Sequence, residues 1–359
     1  MLLGPGCAPL FNAMQVCPEP HRGICPPLGF LAHRTGTTFA LALALVVGLA
    51  ACGQKPSADS NASTSAGAKK TLRVGFSQIG AESGWRTANT LSIQTEAKKR
   101  GIDLRFSDAQ QKQENQIKAL RSFIAQKLDL IMFSPVVETG WGPIMQEIKQ
   151  AGIPVIVGDR RPDVPEDEYV TFIGSDFVEE GRRAGRWLAE KTGGKAMIAE
   201  LQGTTGSAPA NDRKKGFQEI IANFPGMKII KSQTGDFTRS KGKEVMEAFL
   251  KSPEGKQITA LFGHNDDMAI GAIQAIEEAG LRPGKDIIIV SIDGVKGAFE
   301  AMAEGKLNCT VECNPLLGPQ LFDAVEAYFA GKTLPKRIPV EEAVYDESKA
   351  RAELPNRKY

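Results

Sequence analysis

From Leu72 onward the sequence alternates short apolar runs with amphipathic segments, and it does so in two successive series; no other feature constrains the fold as strongly. Apolar runs separated by helical-period segments are the pattern of βαβ units around a parallel sheet. The first series predicts strands over 72–77, 102–106, 128–133, 153–157 and 169–173, with helices over 87–100, 113–126 and 142–150. The second predicts helices over 179–191, 210–223, 240–251 and 267–279, with strands over 196–202, 227–233, 258–262 and 287–292. The halves echo each other. A helix, a glycine stop, an apolar strand and a terminal Asp run from Ala151 to Asp159 and again from Ala279 to Asp293. The expected class is therefore α/β, with two similar doubly wound parallel-sheet lobes. A chain of 359 residues with 42% hydrophobic content can fill two such cores.

The first seventy residues read differently. An apolar run over 39–50 follows His33 and Arg34 and is too short to cross a bilayer, which takes about 20 apolar residues, so it reads as the core of a signal peptide. It ends in Leu49-Ala-Ala-Cys52, which resembles a bacterial lipobox and predicts lipidation of Cys52 as the first mature residue. An ordinary signal peptide with an incidental cysteine is the alternative. Residues 53–70 are small and polar, bury nothing, and read as a flexible tether. Residues 1–30, rich in Pro, Gly and Cys, fit no part of a signal peptide, and translation is expected to start further in, at Met14 or near Leu31. Residues 1–52 are thus a leader with a lipoprotein signal peptide, and the mature protein is expected in the periplasm or cell envelope on a lipid anchor. Only Cys309 and Cys313 then lie beyond the anchor. On one extended strand their α-carbons stand about 13 Å apart, beyond the ~7 Å a disulfide tolerates, so no bridge is expected.

In open α/β sheets ligands bind beyond the carboxyl ends of the strands. The residues there are unusually polar: Glu82, Trp85 and Arg86 after the first strand, Asp159 and Arg160 after the fourth, then Arg213, Phe237, Asn265 and Asp293 in the second half. Asp, Asn and Arg present forks of donors and acceptors to adjacent hydroxyls, while Trp and Phe cover an apolar ring face, so the set suits a polyhydroxylated ring. Three acids balance three arginines, which suits an uncharged ligand. Any one of these residues is explained by a loop cap or turn. Their recurrence after strand upon strand, in both halves, is what points to a site. The net charge of +2 argues against a nucleic-acid partner.

Several longer stretches carry a resemblance: Phe76-Ser-Gln-Ile-Gly-Ala-Glu-Ser-Gly-Trp-Arg86, Asp108-Ala-Gln-Gln-Lys-Gln-Glu-Asn-Gln-Ile117, Asp212-Arg-Lys-Lys-Gly216, Ser240-Lys-Gly-Lys-Glu-Val-Met246 and His264-Asn-Asp-Asp-Met268. From Leu72 to the C-terminal end the chain resembles the galactofuranose-binding group of type I periplasmic binding proteins, kin of the ribose- and galactose-binding components of bacterial sugar ABC transporters. The resemblance implies two lobes joined by three crossings, with a monosaccharide buried between them on closure. It places ligand contacts on Glu82, Trp85, Arg86, Asp159, Arg160, Arg213, Asn265 and Asp293. It divides the chain into a first lobe of 71–174 plus about 295–314 and a second of 175–294 plus about 315–359. It implies a monomer serving a permease and its separate ATPase subunit, with no cofactor, no metal and no catalysis. Cys309 and Cys313 depart from the small or apolar residues expected in such kin.

Other readings fit less well. An enzyme wants a base, a nucleophile or a metal cluster, and His264 is the one histidine past the anchor. Gly331-Lys332-Thr333 imitates part of a phosphate loop, but Glu326 stands where its first glycine belongs, and the triplet follows the amphipathic stretch 320–330 as a helix stop would. The effector core of a sugar-responsive repressor shares the architecture, yet would carry a DNA-binding helix-turn-helix where the signal peptide and tether stand. A sensory protein docking on a chemoreceptor instead of a permease remains an alternative of the same fold.

Overall fold

The computed structural model describes residues 71–359. The leader, Cys52 and the tether lie outside the described residues. In chain order the first half runs β1 (Arg73–Gln78), α1 (Gly84–Lys99), β2 (Asp103–Asp108), α2 (Gln113–Ala125), β3 (Leu130–Phe133), α3 (Gly142–Gln150), β4 (Val155–Gly158) and β5 (Thr171–Gly174). It continues through α4 (Phe177–Lys191), β6 (Lys195–Gln202), α5 (Ala208–Ile221), β7 (Gly226–Thr234), α6 (Arg239–Lys251), β8 (Ala260–Gly263), α7 (Asp266–Glu278) and β9 (Ile288–Asp293). The rest is α8 (Lys296–Ala303), β10 (Cys309–Glu312), α9 (Gly318–Phe329), β11 (Arg337–Pro339), β12 (Val344–Asp346) and α10 (Glu347–Glu353).

The strands form two six-stranded sheets, ordered β11-β5-β4-β3-β1-β2 and β12-β10-β9-β8-β6-β7. Each contains the same five-strand sequence of neighbours, so each has its switch point beside its first strand, between β1 and β3 and between β6 and β8. The first sheet is parallel throughout its pairings, whereas β12 lies antiparallel to β10 at the edge of the second. Central strands β3 and β4 are buried end to end, as expected where helices cover both faces. Successive residues point to opposite faces. Thus Ile131, Phe133, Val155 and Val157 meet α2 and α3 on one side, while Leu130, Met132 and Ile156 meet Ile93 of α1 and Leu321, Phe322 and Val325 of α9 on the other.

The late segments do not divide as expected. Residues 295–314 are expected in the first lobe, but α8 and β10 belong to the second, with Cys309 in register with Val290 of β9. The physical reason is the short link: a strand, one helix and a few residues return the chain to the adjacent parallel position. Residues 315–359 likewise do not stay together. The apolar face of α9 closes the first core and β11 joins β5, while β12 and α10 return to the second sheet. The chain therefore crosses between sheets after β5, after β10 and after β11.

Candidate ligand-binding cleft

Ser83 caps α1 by accepting the Arg86 N–H, so the helix begins earlier than its apolar period suggests, and Trp85 and Arg86 stand in its first turn. Asp159 follows β4, and Asp293 is the last residue of β9. Asn265 is the N-cap of α7: its Oδ1 accepts from the Met268 N–H, and its Nδ2 donates to the Phe237 carbonyl at 3.1 Å. Arg213 lies in the second turn of α5. The eight residues to which the resemblance assigns ligand contacts line one cleft, and so does Phe237, the ninth residue singled out at a strand end, together with Ser83, Phe177, Pro209 and Cys313.

The cleft is closed. Asp267 Oδ2, on the second lobe, accepts the Gly84 N–H at the start of α1 at 2.7 Å, and Arg239 holds its other oxygen at 2.8 Å. On another side Glu138 donates its N–H to the Gly206 carbonyl and accepts from Asn211 Nδ2. These bonds join loops of the first sheet to the second.

Inside, the charges interlock. Arg86 meets Asp159 at 2.7 Å and Glu82 at 3.1 Å; Arg160 stands 3.9 Å from Glu82 and 3.8 Å from Asp159. Arg213 donates to Glu180 at 2.7 Å and to the His264 carbonyl at 2.6 Å, with Asp293 3.6 Å away. Burial opposes the charge on Glu82, but Arg86 and Arg160 outweigh it and hold the carboxyl below its usual range. Burial, and then the neighbouring Arg86, push Arg160 down to about 10, so it is the cation least compensated by the protein. Glu82 Oε2 and Arg160 Nε are buried without a hydrogen-bond partner. Such orphans cost free energy unless something supplies the bond, and ligand hydroxyls can do so. The guanidinium carbons of Arg160 and Arg213 lie 5.2 Å and 6.0 Å from the Phe237 ring centroid, and that of Arg86 lies 4.5 Å from the Trp85 ring. The Trp85 indole N–H donates to the Cys313 carbonyl at 2.6 Å, which ties the platform to a crossing segment.

Backbone strain is concentrated here. Asp159, Phe237 and Asp293 adopt φ of +64°, +63° and +131°, where side chains other than glycine cost roughly 1–3 kcal/mol each. Asp266 holds the Asp293 turn open: one oxygen accepts the Gly294 and Val295 N–H groups, the other the Ser291 and Thr310 hydroxyls. Burial pushes Asp266 up to about 7 despite these bonds. Burial also raises Asp293 well above its usual value, Arg213 opposing the shift.

His264 lies outside this lining. It is buried with Nε2 3.2 Å from Glu200, and its Nδ1 accepts the Gly203 N–H at 3.4 Å. Burial lowers its pKa, so it stays neutral and holds the β6 and β8 strand ends together. Gly331, at φ +75°, is the left-handed stop after α9, and no phosphate loop forms around it. Sequence reasoning passed over Phe177, Pro209 and Glu180. Glu180 offered one signal, a charge on the buried stripe of an amphipathic helix.

Two α/β lobes that close over a polar cavity capped by aromatic rings define a cleft-type solute-binding protein. The chain belongs to the periplasmic binding protein domain family, whose sequence profile matches residues 74–333. Among curated relatives, the galactofuranose-binding protein YtfQ of Escherichia coli K12 is 51% identical over 306 residues, covering 84% of this chain and 96% of that protein. Among solved structures, the periplasmic binding component of the arabinose ABC transporter from Shewanella sp. ANA-3, bound to α- and β-L-arabinofuranose, is 56% identical with a TM-score of 0.78, covering 80% of this chain and 96% of that one. A Mycobacterium smegmatis structure in complex with β-D-fucofuranose is 54% identical with a TM-score of 0.78, at the same coverage of 80% and 96%.

Proposed function

We propose that this protein captures a neutral five-membered-ring sugar, galactofuranose or a close relative, outside the cytoplasmic membrane and hands it unchanged to an ABC-type importer. The observation that carries the reading is the cavity itself: buried, lined by three acids and three arginines that offset one another, and faced by Trp85, Phe177 and Phe237. Glu82, Trp85, Arg86, Asp159, Arg160, Arg213, Asn265 and Asp293 are the contacts, the first five from one lobe and the last three from the other. The sugars named for the relatives narrow the choice. L-arabinose has the configuration of D-galactose at C2, C3 and C4, and D-fucose is D-galactose without its 6-hydroxyl. A site that reads those three centres in a furanose ring and tolerates change beyond C4 accommodates all of them.

Isothermal titration with D-galactose, L-arabinose, D-fucose and D-ribose, beside methyl β-D-galactopyranoside, tests this. The free sugars of galacto configuration should bind, with apparent affinity reduced by the small fraction in furanose form, while the locked pyranoside gives no heat. Binding should change little between low and high salt, because the ligand is uncharged. Binding of the locked pyranoside alone, or of an anion in place of every sugar, would overturn the assignment.

We further propose that Cys52 is lipidated and anchors the mature protein through the tether 53–70. Mass spectrometry of the mature N-terminus should find a diacylglyceryl-modified Cys52; an unmodified peptide running through that cysteine rules the anchor out.

A further inference from the structure

We propose that Glu180, Cys313 and Glu342 form a site for a thiophilic divalent cation of the zinc class at the hinge between the lobes. Each side chain comes from a different passage. Glu180 lies in the first turn of α4, just past the crossing that leaves β5. Cys313 begins the crossing from β10 to α9, and Glu342 lies in the crossing from β11 to β12. One donor atom from each lies within 4.8 Å of the other two.

Two further observations point to a ligand. Glu180 is 1% exposed; its Oε2 is held by Arg213, and its buried Oε1 has no partner outside the cluster, facing only the Cys313 thiol. Among the described residues, no cation forms an ion pair with the Glu342 carboxylate. Arg183 and Arg337 donate to the main-chain carbonyls of Glu342 and Ser175, and the carboxylate accepts from the Ser175 hydroxyl and the Asn314 N–H. Glu342 also lines an outer pocket with Asp176, Glu179, Arg183 and Arg337, whereas Cys313 lines the cleft.

The donor set selects the ion. A thiolate with two carboxylates suits zinc or cadmium, while magnesium and calcium require oxygen donors throughout. Donors in tetrahedral zinc sites stand about 3.3–3.7 Å apart, as bond lengths of about 2.0–2.3 Å require, so the three would draw in by about 1 Å. On binding, the S–H bond of Cys313 and the O–H bond of each protonated carboxyl in the set break, metal–sulfur and metal–oxygen bonds form, and the protons pass to solvent. The ion would then link the second lobe's α4 to two of the three crossings. It would also share Glu180 with Arg213, so metal and sugar sites are coupled through one carboxylate.

Cadmium and zinc titrations of the full chain under reducing conditions test the site. Because other cysteines exist outside the described residues, the reading is the difference between wild type and Cys313→Ser. One equivalent of cadmium should produce a thiolate charge-transfer absorption that Cys313→Ser lacks and Cys309→Ser keeps. Glu342→Gln should weaken zinc binding by about 10–100-fold in calorimetry, and it keeps the test valid if Cys313→Ser does not fold. Identical cadmium spectra for wild type and Cys313→Ser, or unchanged zinc affinity in Glu342→Gln, would overturn the proposal. Sugar binding measured without metal is independent of this outcome, so failure here leaves the proposed function standing.

Discussion

Replacing Arg213 by leucine should lower sugar affinity by at least about a hundredfold, equivalent to about 3 kcal/mol. Arg213 is held on three sides, by Glu180, the His264 carbonyl and Asp293, and it faces the cavity beside Phe177 and Phe237. Leucine fills much of the volume but leaves two buried carboxylates without their cation. Removing one partner of a buried pair costs about 3–5 kcal/mol of stability. The lower end is expected here, since burial already raises Glu180 and lets it take up a proton. Arg213→Lys should keep most of the stability and still lose affinity, because an ammonium cannot reproduce the guanidinium fork. The double variant Glu180→Gln/Arg213→Leu should recover stability without recovering binding. Calorimetry on proteins whose folding is verified by thermal melting separates these effects. A folded Arg213→Leu protein with wild-type affinity would place the sugar elsewhere.

Gly216→Ala should lower the melting temperature by about 3–5 °C, the effect of about 2–3 kcal/mol of overpacking in a protein of this size. A methyl group on Gly216 would sit 1.9 Å from the Val178 carbonyl oxygen, and one on Gly181 would sit 2.1 Å from that of Arg213. Helices α4 and α5 thus touch backbone to backbone through two glycines. Those helices carry Glu180 and Arg213, each within one turn of a contact glycine, so spreading them lengthens the ion pair and should weaken sugar binding too. Gly142→Ala, where an added methyl meets nothing within 4 Å, is the control and should leave melting unchanged or slightly higher. An unaltered melting temperature in Gly216→Ala would mean that the helices separate freely.

The eight cleft residues were legible because a parallel sheet sends its strand ends to one edge, so Asp159, Asn265 and Asp293 could be located without a tertiary contact. The apolar period of α1 begins at Thr87 and so leaves Trp85 and Arg86 outside the helix, although Ser83 is available as a cap. Illegible were the residues whose position depends on the crossings. Ser175, Cys313 and Glu342 are brought together by three passages that have neither helical nor strand period. The same blindness misassigned 295–314: the pattern shows that a strand exists near 309 but not which sheet receives it. The strained φ at Phe237 left no trace in residue type, whereas Asp159 and Asp293 are of a type that tolerates positive φ.

The three crossings also dictate the order in which this chain can become a protein. Sheet β5-β4-β3-β1-β2 is made by residue 174, but one of its faces is covered by α1 alone until α9 arrives at Gly318–Phe329, and its outer edge stays open until β11 at Arg337–Pro339. A growing chain therefore carries an apolar sheet surface through most of its synthesis, and contacts of such long sequence separation form slowly. No cut between the lobes yields two self-sufficient pieces. A fragment ending after β5 lacks Leu321, Phe322 and Val325 from its core, and a fragment beginning at α4 carries an α9 with no sheet to cover. Dividing the protein into independent halves would require rejoining α9 and β11 to the first segment through a new linker.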